Sequence, residues 1–300
     1  MKELIGITGA SGEVGRRVAE RLAGRGVRQR LIVRDPSHAP DLPGSYVTRL
    51  TDYGDAASVR AAVEGVGTLL LVSAKEHIDR LSQHLTAVDA AVDAGVERIV
   101  YTSYLGAAPD AIFTLARQHY ATEERIKSKG VAFTFLRDSL YLDFIPWIAG
   151  ADGVIRGPGG SGRFAPIARD DVADTAVEVL TSGGSHDGHC YDMTGPETLS
   201  FQEAADELSR VSGREVVYID ETREEAWASR RPIGAPDWEI EGWITSYQAI
   251  AQGELDVVSD TVPRLTGHPA QSLPEFLGAH PESFAHLVAG NRASAVTTNP

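Results

Sequence analysis

The chain has 300 residues and a net charge of −14, and 42% of its residues are hydrophobic. These values indicate a globular protein with one large domain, or a domain with a smaller appendage. The negative charge argues against nucleic acid or an anionic membrane as the main partner. No apolar run reaches the length of a membrane span, and no signal peptide is expected before the first strand. The single cysteine, Cys190, excludes an intrachain disulfide framework and suits a reducing, cytoplasmic location.

A glycine-rich turn near the N-terminus is the most informative motif. An apolar run at Leu4–Ile7 predicts a short strand, Gly9, Gly12 and Gly15 follow, and Arg16–Ala23 predicts a helix. In such a strand–turn–helix context, backbone N–H groups and the positive end of the helix dipole can bind a phosphate. The alternative is that the glycines only turn the chain. Dinucleotide binding is therefore predicted for six residues of the turn, which are Gly9, Ser11, Gly12, Glu13, Val14 and Gly15.

The residue after the second predicted strand bears on the choice of dinucleotide. In NAD sites an acidic residue at this point holds the ribose hydroxyls. Here Leu31–Val33 is followed by Arg34, which suits the 2′-phosphate of NADP. Asp35 leaves NAD(H) possible, and the alternative for Arg34 is a solvated loop arginine. NADP(H) is the preferred prediction.

The following residues continue an alternation of strands and helices. Strands are predicted at Tyr46–Thr48, Thr68–Val72, Arg98–Tyr101 and Ala132–Leu136, and helices at Ala56–Glu64, Ile78–Ala94 and around His119. Asp55 is expected to cap its helix, and Leu81, Leu85, Val88 and Val92 to form the buried face of the next. The pattern predicts an α/β fold with a doubly wound parallel sheet.

Three further residues are predicted at the edge where a dinucleotide would bind. Asp52 follows the third strand, where an adenine would lie, although a loop aspartate is an equal alternative. Ser73 follows the fourth strand and Thr102 the fifth. The carboxyl ends of parallel strands face one crevice, so all three are candidate cofactor contacts.

After Arg137 the alternation becomes irregular. Tyr141–Trp147 is an aromatic segment that could line a pocket, and acidic residues at Asp170–Asp174 suit the start of a helix. Cys190–Met193 and Glu215–Ile219 predict strands, and Ser200 with Glu203 predicts a capping box.

Several segments along nearly the whole chain carry a family resemblance. They are Thr8–Gly15, Val33–Pro36, Thr51–Asp55, Tyr101–Ser103, His119 with Thr122–Glu123, Thr134–Arg137, Ile167–Ala173 and Leu265–Pro269. Together they resemble the atypical short-chain dehydrogenase/reductase superfamily, and within it the NmrA-like group that includes NADPH-dependent quinone reductases. The resemblance implies a Rossmann domain, a small C-terminal α+β substrate lobe, and NADP(H) in the cleft between them. We divide the chain into an NADP-binding core at 1–137, an interleaved lobe with the last Rossmann elements at 138–290, and a disordered tail at 291–300.

The catalytic helix departs from the pattern of the superfamily. Conventional members place a tyrosine and a lysine four residues apart, so that the lysine lowers the pKa of the tyrosine. Here the residue four positions after His119 is Glu123, and the residue four positions after Tyr120 is Glu124. A carboxylate would raise the pKa of a tyrosine, so alcohol–ketone chemistry by a tyrosine–lysine pair is not expected.

Reduction of a quinone requires less of the protein, because the acceptor is already electron-poor. One hydrogen-bond donor beside the nicotinamide could suffice. His119 is the candidate donor, Ser103 or Tyr104 the second, and Tyr141 a candidate pocket wall. The alternatives are a structural His119 bonded to Glu123 and a core Tyr141.

Two further functions are predicted to be absent. The nine histidines show no ligand spacing, so no metal site is expected. Cys190 is expected in the core rather than as a nucleophile.

The leading hypothesis is an NAD(P)H-dependent oxidoreductase that passes a hydride to a quinone or a conjugated aromatic carbonyl. One alternative is an NADP(H)-sensing regulator that binds a protein partner without turnover. Another is a tailoring enzyme for a polycyclic aromatic metabolite. The expected partners are a small aromatic or quinone substrate, with a homodimer or a regulatory protein as a possibility, and neither nucleic acid nor membrane.

Overall fold

A computed structural model describes residues 4–288 of the chain. The strands are β1 Ile5–Thr8, β2 Gln29–Val33, β3 Ser45–Arg49, β4 Thr68–Leu71, β5 Arg98–Tyr104, β6 Ala132–Asp138, β7 Val154–Gly157, β8 Arg163–Phe164, β9 His189–Met193, β10 Leu199–Ser200 and β11 Val217–Asp220. The helices are α1 Glu13–Gly24, α2 Ala56–Val63, α3 Arg80–Asp93, α4 Thr114–Ser128, α5 Phe144–Ile148, α6 Arg169–Thr181, α7 Phe201–Ser212, α8 Arg223–Arg230, α9 Asp237–Ala251, α10 Thr261–Thr266 and α11 Leu273–Ala279. Within these residues, no helix combines the length and the apolar character needed to cross a membrane.

The chain divides into two compact units. The first comprises residues 4–138, Arg169–Met193 and Asp260–His268, and the second comprises Ser139–Ala168, Thr194–Ser259 and residues 269–288. The boundaries expected after residues 137 and 290 stay predictions. The tail expected to be disordered, 291–300, lies outside the described residues.

The first unit is built on a seven-stranded parallel sheet in the order β3-β2-β1-β4-β5-β6-β9. On β1, Ile7 pairs with Leu31 on one side and with Leu70 on the other. The chain order reverses direction at β1, and the loops after β1 and β4 therefore flank one crevice at the carboxyl edge. The predicted α/β Rossmann fold with a doubly wound parallel sheet is confirmed.

A continuous apolar core lies between this sheet and the helices α2 and α3. Leu69, Val88, Ile99 and Phe135 are almost completely buried in it. The predicted cap of α2 is also confirmed, because the Asp55 carboxylate accepts hydrogen bonds from two backbone N–H groups of the first turn.

The second unit contains two small sheets and the remaining helices. β7 pairs in parallel with β11, and β8 pairs antiparallel with β10. Ser200 and Glu203 form the predicted capping box at the start of α7. This mixture of short strands and helices matches the expected C-terminal α+β lobe.

Two expectations about burial are wrong. The buried face of α3 includes Arg80 and His84. Of the residues expected there, Val88 is buried, whereas Leu81, Leu85 and Val92 are only partly buried. A hydrophobic pattern cannot foresee this because the buried polar side chains are matched by partners from distant segments. Cys190 is exposed rather than in the core, since it lies on β9, the edge strand of the sheet.

Candidate active site

The glycine turn after β1 adopts a geometry that larger residues could not reproduce. Gly9 has φ of +61°, and its carbonyl accepts a hydrogen bond of 2.8 Å from the Gly12 N–H. A Cβ atom on Gly15 would lie 2.3 Å from the Gly9 carbonyl oxygen. The first turn of α1 therefore lies directly against the glycine turn, which is the close approach expected at a pyrophosphate site.

The N-terminus of α1 leaves its first backbone N–H groups available to an anion. Gly12 is the N-cap residue and offers no side chain to cap the helix. The Glu13 carboxylate pairs with Arg17 at 2.5 Å, and this hydrogen bond holds the pKa of Glu13 below its usual value. Arg17 thus offsets the negative charge closest to the helix end. These residues fit a dinucleotide whose phosphates lie at the helix N-terminus.

At the end of β2, the two residues that bear on cofactor choice differ in their surroundings. Arg34 is exposed, whereas the Asp35 carboxylate accepts hydrogen bonds from the N–H (3.0 Å) and the hydroxyl (2.8 Å) of Ser37. These bonds lower the pKa of Asp35. The aspartate caps its own loop, and the arginine remains exposed at the position that suits a 2′-phosphate.

Two of the predicted contacts meet at the ends of β4 and β5. The Ser73 N–H donates to the Thr102 hydroxyl at 2.8 Å. Asp52, after β3, is exposed, and its carboxylate accepts from the Gly54 N–H at 2.6 Å. The roles of all three toward a cofactor stay predictions.

His119 lies in a buried polar cluster on α4. Its Nε2 atom is 2.9 Å from an Arg80 guanidinium nitrogen, and its Nδ1 atom is 2.9 Å from the Tyr101 hydroxyl. Burial, with Arg80 nearby, holds the pKa of His119 well below its usual value, so the ring is neutral. Burial also raises the pKa of Tyr101 to about 12. The alternative that His119 is bonded to Glu123 is wrong.

Glu123 instead pairs with Arg137 on β6 and with Ser103 on β5. Its carboxylate accepts from Arg137 at 2.6 and 2.9 Å and from the Ser103 hydroxyl at 2.6 Å. The carboxylate is fully buried, and its bonds raise the pKa of Arg137. Glu123, one of the two glutamates at the spacing where conventional members have the lysine, therefore belongs to a buried ion pair.

The remaining two catalytic candidates lie in different units. Tyr104, at the end of β5, packs edge-on against Phe113 with 5.0 Å between ring centroids and is partly exposed. Tyr141 belongs to the second unit, where its ring stacks on Phe144 at 6.2 Å. Their catalytic roles, like those of His119 and Ser103, stay predictions.

Sequence reasoning missed several side chains around this edge. The Tyr53 hydroxyl donates to the Val72 carbonyl at 2.7 Å and lies 2.6 Å from the Thr8 hydroxyl oxygen. Arg80 and His84 form hydrogen bonds with the backbone of Ala74 in the loop after β4. Thr8 lies in the recognised motif and could have been noticed. Nothing in the local pattern marks Arg80 or His84, because both occupy ordinary helix positions.

Residues 9–183 match the family described as NAD(P)H-binding. The chain belongs to the NAD(P)H-binding family. Among its relatives, quinone oxidoreductase 2 of Escherichia coli is 34% identical over 280 residues, which cover 91% of this chain and 96% of the relative. An NAD(P)H azoreductase of Xenophilus azovorans is 30% identical and covers 94% and 99% of the two chains.

Solved structures place this NAD(P)H-binding protein in the same group. The NADPH complex of an Escherichia coli NADPH-dependent quinone oxidoreductase superimposes with a TM-score of 0.84 at 33% identity, over 92% of this chain and 99% of the other. The negative transcriptional regulator NmrA, in complex with NADP, gives a TM-score of 0.72 at 16% identity, over 92% and 94%, which shows the shared fold. The chain is an NAD(P)H-dependent oxidoreductase, and its predicted likeness to NmrA is confirmed at the level of the fold.

The neutral, buried histidines of this protein predict a loss of stability in mild acid. His84 and His119 both have a pKa well below 6.5, chiefly because of burial, whereas the unfolded chain titrates near 6.5. The unfolded state binds more protons below that pH, so stability is complete above 6.5 and falls as the pH decreases. Urea unfolding at pH 7.5 and 5.5 should differ by about 2–3 kcal/mol for the two groups.

His119→Gln should remove about half of this difference. The pKa of His186 is also lowered by burial and adds to the trend, whereas the raised pKa of Asp192 opposes it. The carboxylates with lowered pKa values act only below about pH 4.5, outside this window. An unfolding free energy that is equal at pH 7.5 and 5.5 would contradict the assignment of neutral histidines.

Proposed function

We propose that this oxidoreductase transfers a hydride from NADPH to a quinone or another conjugated aromatic carbonyl, without a tyrosine–lysine pair. The observation that carries the proposal is the glycine turn against the open end of α1, with Arg34 exposed after β2. The relatives named a quinone oxidoreductase and an azoreductase support an electron-poor aromatic acceptor.

Different residues of the first unit would bind different parts of NADPH. The turn from Gly9 to Gly15 would hold the pyrophosphate, and Arg34 the 2′-phosphate. Ser73 and Thr102 would lie at the crevice next to them. When bound, NADPH supplies the hydride, and the protein's contribution is to orient it and to exclude water.

Two of the three candidate donors direct their protons to partners within the protein. Arg80 donates to Nε2 of His119, so the histidine proton resides on Nδ1 and points to Tyr101. The Ser103 hydroxyl donates to Glu123. Tyr104, partly exposed at the end of β5, is the third candidate donor to the acceptor oxygen as negative charge develops there.

The test is anaerobic mixing of the protein with NADPH or NADH, followed by a simple quinone, an azo dye or a polycyclic ketone. Loss of nicotinamide absorbance well above the protein-free rate, and faster with NADPH, is the expected result. Tight NADPH binding without oxidation across the panel would contradict the proposal. It would instead favour the NADP(H)-sensing regulator, and the search would turn to protein partners.

Replacing Arg34 with glutamine should selectively weaken NADPH binding. A charge-assisted hydrogen bond to a phosphate contributes about 1.5–3 kcal/mol, so the NADPH dissociation constant should rise roughly 10- to 100-fold. NADH affinity should change less than about twofold, because NADH has no 2′-phosphate.

Arg60→Gln on α2 is the matched control, since it removes the same charge from another exposed position. Equal effects of the two variants would show that Arg34 acts only through net charge. Fluorescence titration of each variant with both nucleotides makes the comparison.

A further inference from the structure

The Val72–Ala74 segment, directly after β4, is held by side chains instead of by strand pairing. The register of β4 with its neighbours ends at Leu71. The Val72 N–H donates to the Thr8 hydroxyl at 2.9 Å, and the Val72 carbonyl accepts from the Tyr53 hydroxyl at 2.7 Å. The side chains thus replace the backbone partners that the sheet no longer supplies.

The same pattern continues through the next two residues. The Ser73 N–H donates to the Thr102 hydroxyl at 2.8 Å. The Ala74 N–H donates to Nε2 of His84 at 2.9 Å, and the Ala74 carbonyl accepts from Nε of Arg80 at 2.8 Å. The backbone N–H and the backbone carbonyl of Ala74 are therefore both bound by side chains from the first two turns of α3.

The proton positions in this cluster follow from its fixed donors. Arg80 can only donate, so Nε2 of His119 accepts; the Ala74 N–H can only donate, so Nε2 of His84 accepts. Both histidines must then carry their proton on Nδ1, close to the Tyr101 hydroxyl at 2.9 and 3.3 Å. Neutral histidines are the only state in which every one of these bonds is satisfied.

Arg80 is a buried cation within this cluster. Arg80 is almost fully buried, and its guanidinium donates to the Ala74 carbonyl, the Gln118 side-chain oxygen and His119. Burial lowers the pKa of Arg80 accordingly. Arg80 thus links the Ala74 carbonyl to two residues of α4, Gln118 and His119.

The segment lies beside the glycine turn. A Cβ atom on Gly9 would be 3.5 Å from Cβ of Val72, and Ile7 on β1 pairs with Leu70 on β4. The Ser73–Ala74 backbone therefore borders the crevice in which the nicotinamide dinucleotide binds.

We propose that Arg80 and His84 are positioning residues of the cofactor site, which clamp the Ala74 peptide and so fix the Ser73–Ala74 backbone against NADPH. We call this pair, with its bonds to Ala74, the Ala74 clamp. The inference rests on the cofactor site described above and adds two residues that do not touch the cofactor themselves.

Hydrogen exchange and NADPH titration of His84 variants test the Ala74 clamp. In His84→Ala the Ala74 N–H loses its acceptor, so exchange of the 72–79 segment should accelerate about tenfold, and the NADPH dissociation constant should rise about tenfold. Glutamine offers an amide oxygen to the same N–H, so His84→Gln should restore most of both quantities. His189→Gln, at an exposed position on β9, is the control and should change neither.

Arg80→Met provides a second variant if His84→Ala does not fold, because methionine keeps the buried apolar stem and removes the donors. It should show the same local increase in exchange and the same loss of NADPH affinity. Faster exchange with unchanged affinity would overturn the proposal, and so would a uniform acceleration across the protein that glutamine does not rescue. Both readouts precede turnover, so a protein that binds NADPH but reduces no quinone would refute the proposed function and leave the Ala74 clamp intact.

Discussion

Replacing Gly15 with alanine is expected to weaken NADPH binding by about 100-fold or more, the loss of about 2.7 kcal/mol. The new Cβ atom would lie 2.3 Å from the carbonyl oxygen and 2.7 Å from the carbonyl carbon of Gly9. Both are backbone atoms of the turn, so no side chain can rotate to relieve the overlap. The helix and the turn must separate, and the N–H groups that would hold the pyrophosphate lose their alignment.

Gly24→Ala is the matched control, because it places the same methyl group at the other end of α1. No heavy atom lies within 4 Å of that position. NADPH affinity should be unchanged, and the free energy of unfolding should rise by about 0.5–1 kcal/mol, as expected for alanine in a helix. Calorimetric titration with NADPH and urea unfolding measure the two effects. A Gly15→Ala protein that binds NADPH within threefold of the wild type would refute the proposed position of the pyrophosphate.

Replacing Glu123 with glutamine is expected to lower the free energy of unfolding by about 3 kcal/mol. Its carboxylate is completely buried and bonded twice to Arg137 and once to Ser103. Removal of one charge leaves the Arg137 guanidinium without its anion in a site where only 23% of that side chain is exposed. The loss of one partner of a buried pair typically costs 3–5 kcal/mol, and the partial exposure of Arg137 places this pair near the lower end.

Glu124→Gln, one residue further along α4, is the comparison. Glu124 is paired with Lys127 at 2.8 Å, but these side chains are 46% and 38% exposed. Such surface pairs contribute about 0–1 kcal/mol, so this variant should unfold almost as the wild type does. Similar unfolding free energies for the two variants would show that the Glu123–Arg137 pair contributes no more than a surface ion pair.

The local sequence pattern was sufficient to predict the strands of the parallel sheet. Apolar runs such as Thr68–Leu71 and the glycines at 9, 12 and 15 determine where strands and turns form, because they act through neighbouring residues. The parallel order of the strands followed from the length of the connections. The predicted boundaries of the helices were less accurate. For example, α1 begins at Glu13, directly after its N-cap Gly12, and not at Arg16.

The chemical environment of the catalytic helix could not be read in the same way. The spacing of His119 and Glu123 on α4 was visible in the sequence, but the alternative of a bond between them is wrong. His119 instead meets Arg80, 39 residues away, and Glu123 meets Arg137 on a neighbouring strand. Because these partners are far apart in the chain, only the packing of α3 and α4 on the sheet brings them together.

The sequence by itself determined the Rossmann architecture and the glycine turn, and it predicted an NAD(P)H cofactor, since each depends on short-range geometry and on the identity of a few residues. Tertiary structure alone decided that α3 buries Arg80 and His84, that Cys190 is exposed on an edge strand, and that the Val72–Ala74 segment is held by side chains. The physical reason is that a buried polar group is stable only when its partners are present, and those partners come from segments that the fold, not the local sequence, places beside it.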